Sequence, residues 1–132
     1  MPATPRKATI TFKEVTRDGL PFIEVTATGK FAASKKDSDT VEWGVVNLTN
    51  TDLDVAVIDF YAQAGGTPFA DGTVPGFKTI PKKTTATTAG TGTLGPKVAD
   101  GDETVFKYTI LAKPTSATLW FLVRDPEMDI EP

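Results

Sequence analysis

The stretch DETVFKYTILAKPTSATLWFLVR, Asp102 to Arg124, decides how the rest of the chain is read. Phe106, Tyr108 and Ile110 fall on one side of an extended segment, with Lys107 and Thr109 between them. After the break at Lys113-Pro114, Leu119, Phe121 and Val123 repeat the same spacing. Successive side chains of a strand point to opposite sides of the pleat, so this period of two predicts a pair of half-buried strands. The earlier segments are read as packing against that pair.

Working back toward the N-terminus, Ile10 and Phe12 alternate with threonines, and Ile23, Val25 and Ala27 alternate with Glu24 and Thr26. Asp18-Gly19-Leu20-Pro21 between them is turn chemistry. Gly29 to Thr40 is polar and reads as a solvated connection, with room for a helical turn near Ala32. Val41, Trp43 and Val45 make a third strand. After the polar turn Asn47–Asp54 comes Val55-Ala56-Val57-Ile58-Asp59-Phe60-Tyr61, whose near-continuous apolar run predicts a central strand. Pro75 and Pro81 bracket Phe77 and Ile80, which suits an edge strand. Lys82 to Lys97, rich in Thr and Gly, predicts an exposed hairpin or loop, and residues 1–7 predict an N-terminal arm.

No segment carries a sustained helical period. Seven to eight short strands with turn signals between them predict one all-β domain over residues 1–132, an antiparallel Greek-key sandwich. Trp43, Phe60, Tyr108 and Phe121 are its expected core anchors.

Composition removes several chemistries. The chain has no cysteine and no histidine, so thiolate chemistry, disulfides and imidazole catalysis or ligation are excluded. The net charge of −3 offers no basic footprint, so no nucleic-acid partner is expected. No run approaches the roughly 20 apolar residues of a membrane helix, so no membrane partner is expected either. The start has no apolar signal region; the chain as given reads as cytoplasmic, and as secreted if a signal was removed.

Motif spellings carry little further. Gly90-Thr-Gly-Thr-Leu-Gly95 spells a dinucleotide fingerprint but lacks an apolar strand before it and a helix after it. Asp100, Asp102 and Glu103 lack the continuation of a calcium loop. Asp52, Asp54, Asp59 and Asp71 form a second candidate oxygen cluster, and Asp59 interrupts an apolar strand, which predicts a solvent-facing position. The serines have no histidine to activate them, so no catalytic residues are assigned and the chain is read as not an enzyme.

Three pieces resemble the cupredoxin-like fold of the plastocyanin and azurin relatives. They are Val41–Asn47 with its turn and the Val55–Phe60 strand, Asp100–Ile110 as a Gly-Glu turn leading into a Tyr-containing strand, and Asp125–Pro132 as a closing strand. The resemblance spans roughly residues 41–132 and implies that fold, with an immunoglobulin- or fibronectin-like sandwich as the alternative. That family holds copper with two His, a Cys and usually a Met. The resemblance puts Asp54 about where the first His would stand and Ala112 about where the Cys would, with Met128 left to core packing. It therefore implies the scaffold without the copper, and no cofactor or metal is expected.

The functional expectation is a non-catalytic sandwich acting as a protein-binding or structural assembly subunit, through a protein partner or self-association. The alternative is a small-ligand or carbohydrate-binding module using exposed loop aromatics, with Trp120, Phe69 and Phe77 as the candidate contacts.

Overall fold

The computed structural model describes residues 4–63, 65–84, 88–101, 104–124 and 126–131; of residues 121, 122 and 124 it describes the backbone. Its strands are β1 (Pro5–Arg17), β2 (Leu20–Ala27), β3 (Lys30–Ser34), β4 (Thr40–Leu48), β5 (Leu53–Tyr61), β6 (Gly76–Ile80), β7 (Gly90–Val98), β8 (Thr104–Pro114), β9 (Phe121–Arg124) and β10 (Glu127–Glu131). No helix occurs among the described residues. One sheet has the order β2-β1-β4-β7 and the other β3-β10-β8-β5-β6, with β9 also paired to β8. The all-β sandwich class follows from these two packed layers.

The β8 segment is as central as its alternation predicts. One edge pairs with β5, and the other pairs with β10 near its start and β9 near its end. Phe106, Tyr108, Ile110 and Ala112 all point into the core at about 1% exposure or less. Opposite them stands Trp43 on β4, ringed edge-on by Phe31, Phe60, Phe69 and Tyr108 at 5.6–6.2 Å between centroids. Trp43 Nε1 donates to the Tyr108 hydroxyl at 3.2 Å, which satisfies both polar tips inside the core. Burial pushes the Tyr108 hydroxyl up to about 12 against the effect of that bond. Each fully buried side chain of this size contributes roughly 1.5–3 kcal/mol of transfer free energy.

The pairing is mixed, which alternation alone does not reveal. β1 runs parallel to β4, and β3 runs parallel to β10. The β1–β2 hairpin turns on Asp18 and Gly19, both at positive φ, the geometry that matches strand twist in a two-residue loop. The chain then crosses at Thr28-Gly29 to the other sheet as β3, where a solvated connection and a turn of helix near Ala32 were expected. Ala33 is buried there, so a two-residue apolar commitment suffices once β10 supplies a neighbour.

The Thr/Gly-rich 82–97 segment also differs from expectation. Residues 85–87 lie outside the described residues, but Gly90–Val98 is β7, paired antiparallel to β4. Its glycines answer to packing. A Cβ on Gly90 would sit 1.6 Å from the Pro81 carbonyl oxygen, and one on Gly92 would sit 2.5 Å from Ile80 Cδ1. β7 thus lies tight against the end of β6, and the fingerprint spelling is a strand with no helix after it.

The arm expectation also gives way, because β1 begins at Pro5. Asp39, fully buried, accepts from the Thr4 amide at 3.0 Å, the Ser34 amide at 2.8 Å and Arg6 Nε at 3.2 Å, tying the start of β1 to the β3–β4 turn. Burial alone would raise its carboxyl, but those amides and the Arg6 guanidinium outweigh it and hold it below the ordinary range.

Of the expected anchors, Trp43 and Tyr108 are fully buried, Phe60 packs half-buried against the core, and the side chain of Phe121 lies outside the described residues. Met128 is in the core. Leu119 is 80% exposed, because β9 begins two residues later and Leu119 belongs to the loop before it.

Candidate functional site

The outer face of the β5–β6–β8 sheet gathers the residues that carry chemistry. Register places Asp54 of β5 between Thr79 of β6 and Lys113 of β8. The pleat then points all three away from the core that Leu53, Val55 and Ala112 enter. Asp54 Oδ1 accepts from the hydroxyls of Thr79 at 2.7 Å and Thr115 at 3.1 Å, and Oδ2 accepts from Lys113 Nζ at 2.9 Å. The two charged side chains are 12% and 8% exposed. The Thr79 hydroxyl first, and then the Lys113 ammonium, keep the Asp54 carboxyl below the usual carboxylate range despite its burial.

Lys113 also clamps a loop. Its ammonium donates to the carbonyls of Ala117 at 2.9 Å and Thr115 at 3.4 Å, while the Thr115 amide donates to the Asp52 carbonyl at 3.0 Å. Residues 115–120 are thereby folded back over the sheet, and the Trp120 ring is set 5.2 Å from Lys113 Nζ in a cation–π contact. Trp120 meets Phe77 at 5.6 Å and 71°. The two rings wall a groove of about 270 Å³ whose remaining lining is Ala56, Ile58, Gly76 and Leu111. Phe77 stands 62% exposed on the terminal strand of its sheet.

Two of the three aromatics nominated from sequence therefore share one site. The third does not. Phe69 is 2% exposed and packs on Trp43 and Phe60 inside the core, because its bridge to Ala99 draws the loop inward. Sequence reading missed Lys113, Leu111 and Ala56. Their signal was the polar half of the β5 and β8 alternation, visible once the register sets Asp54 beside Lys113 and Ala56 beside Leu111.

The acids offered for a metal are kept apart. Asp52 Oδ1 accepts from the Lys82 amide, and Asp54 is committed to Lys113. Asp71 is held down to about 2 by the Thr73 amide and Lys97. Asp59 is exposed at a β-bulge with φ 61°. Among the described residues no three His, Cys, Asp or Glu side chains gather as a metal group; Asp102 and Glu103 lie outside them. Asp54 and Ala112 also point to opposite faces of their sheet, so these two positions do not converge on one point. Asn47 is fully buried, with its side-chain amide donating to the Thr51 and Ile80 carbonyls.

No protein-family model matches the chain, and no curated protein matches it either.

Proposed function

We propose that this chain is a cupredoxin-like sandwich without copper that works as a non-catalytic protein-binding module, docking an apolar side chain of a partner in the Phe77–Trp120 groove. The observation that carries this reading is the groove itself: an apolar slot on a solvent-facing sheet, walled by two aromatics and held open by a buried ion pair. Isolated exposed apolar residues need no explanation, whereas a shaped cluster of them beside a rigid anchor is what interfaces use as a hot spot. The scaffold assignment draws support from the two-layer architecture and from the β4–turn–β5 unit that joins the sheets.

The protein reading is favoured over carbohydrate stacking by geometry. A sugar ring lies flat on an aromatic face, whereas the Trp120 and Phe77 rings stand 71° apart and leave a wedge suited to an aliphatic or aromatic side chain. Catalysis gains no support from Asp54 and Lys113, whose donors and acceptors already satisfy one another.

A displayed peptide library selected on the whole chain tests the reading. The expected result is enrichment of peptides with a large apolar anchor whose binding falls about tenfold or more in Phe77→Ala and in Trp120→Ala. Peptides that bind both variants as well as the parent chain, or no enrichment, would overturn it.

A further inference from the structure

The outer face of the other sheet is built differently. Thr-x-Thr occurs on two of its strands, at Thr9 and Thr11 and at Thr91 and Thr93, and once more where a third ends, at Thr26 on β2 and Thr28 just past it. Register aligns them into two rows across the sheet. One runs Thr26, Thr11, Val46, Thr91; the other runs Thr28, Thr9, Gly44, Thr93. Thr28 Oγ1 accepts from the Thr9 amide at 3.0 Å, while the hydroxyls of Thr9, Thr11, Thr26, Thr91 and Thr93 have no protein partner among the described residues.

The second row contains Gly44, in a strand paired on both sides. Glycine there costs strand stability, and its usual warrant is a close approach. The approach is made by Lys7: a Cβ at Gly44 would stand 2.6 Å from Lys7 Cε, so the lysine stem lies in the space a side chain would fill. Gly44 thus lays the lysine across the sheet, at the edge of a trough of about 300 Å³ lined by Thr9, Thr91 and Thr93. The other cations on this face are spoken for, since Lys13 and Arg17 both pair with Glu24. Lys7 has no ion pair among the described residues.

We propose that this face binds an acidic polysaccharide, with a sugar carboxylate on the Lys7 ammonium and sugar hydroxyls on the threonine rows. The rows extend about 14 Å at roughly 4.8 Å per strand, and they turn by roughly 20–25° from strand to strand. A flexible polyhydroxylated chain follows such a twisted ladder, and a flat crystalline surface does not. Glu42, the register partner of Lys7 on β4, shares this face, but no ion pair joins the two, and the lysine stem lies over Gly44 toward the threonines. Charge then selects among polysaccharides: an ammonium with no ion pair beside a row of hydroxyls complements a carboxylate. This site is separate from the Phe77–Trp120 groove and stands or falls independently of it.

The test is a binding titration of the whole chain with polygalacturonate, with dextran as the neutral glycan and acetate and sulfate as free anions, all at one ionic strength. Saturable binding of polygalacturonate is expected, with at least tenfold weaker response to dextran and to either free anion. Lys7→Met and Gly44→Ala should each weaken it roughly tenfold or more, the loss of one charge-assisted hydrogen bond. Lys13→Met should leave it unchanged. Circular dichroism and the melting midpoint confirm that each variant is folded, and Thr93→Val, which keeps the shape and removes the hydroxyl, gives a second handle if Gly44→Ala does not fold. Equal response to sulfate or acetate alone would mean an adventitious ion only. Equal loss in Lys13→Met would mean nonspecific charge, and no binding of polygalacturonate would reject the site; each of these overturns the proposal.

Discussion

Replacing Asp54 with alanine removes the acceptor that Lys113, Thr79 and Thr115 share. Exposed ion pairs are worth about 0–1 kcal/mol, but this one has side chains only 12% and 8% exposed. Truncating one member of such a pair strands the other charge, at a cost of about 3–5 kcal/mol. For a chain of this length, that corresponds to a melting midpoint lower by roughly 10–25 °C, at about 3–5 °C per kcal/mol. The double variant Asp54→Ala/Lys113→Met should recover part of the loss, because no charge is then left buried without a partner. In Asp54→Ala the 115–120 loop loses the Thr115 anchor on the carboxylate and Lys113 loses its partner, and in the double variant the Lys113 clamp goes as well, so Trp120 emission should shift to the red in both while Trp43, fully buried, stays as it is. The acid limb has a defined sign. The Asp54 carboxyl is lowered in the fold, so its contribution is complete above the unfolded value near 3.9 and fades as pH falls through the lower folded value. Thermal and urea melts of the parent chain and the two variants, read with fluorescence between pH 2 and 7, measure all of this. A loss below about 1 kcal/mol in Asp54→Ala with unchanged Trp120 emission would refute the idea that the pair anchors the groove.

Asp39→Ala should cost about 2–5 kcal/mol in urea unfolding, since it orphans the amides of Thr4 and Ser34 and frees the start of β1. Its acid sensitivity has the same sign as that of Asp54, and a loss under about 0.5 kcal/mol would show that the buried carboxylate does not tie β1 down. Gly90→Ala should destabilise by about 3 kcal/mol or more, because a Cβ 1.6 Å from the Pro81 carbonyl oxygen forces β7 off the end of β6. A near-parental melting midpoint for that variant would mean that the 82–97 segment is the loose loop its composition suggests.

By itself the chain determined the class and much of the core. Alternation in β1, β4 and β8 is a local property of the pleat, and it named Trp43, Tyr108 and Ile110 as inward residues correctly. The absence of cysteine and histidine settled which chemistry the residues could not perform. Other features depend on neighbours distant in sequence and are invisible one segment at a time. β3 exists because β10 runs beside it, and β7 is a strand because β4 receives it, although its glycines resemble a loop. The groove belongs to this second kind. Phe77 and Trp120 were legible as aromatics, but register and the Asp54–Lys113 pair are what set them against each other, while a single bridge at Ala99 turned Phe69 inward. Side-chain periodicity reports which face of a strand is buried; which strands share an edge is decided by the closing of two sheets over one core.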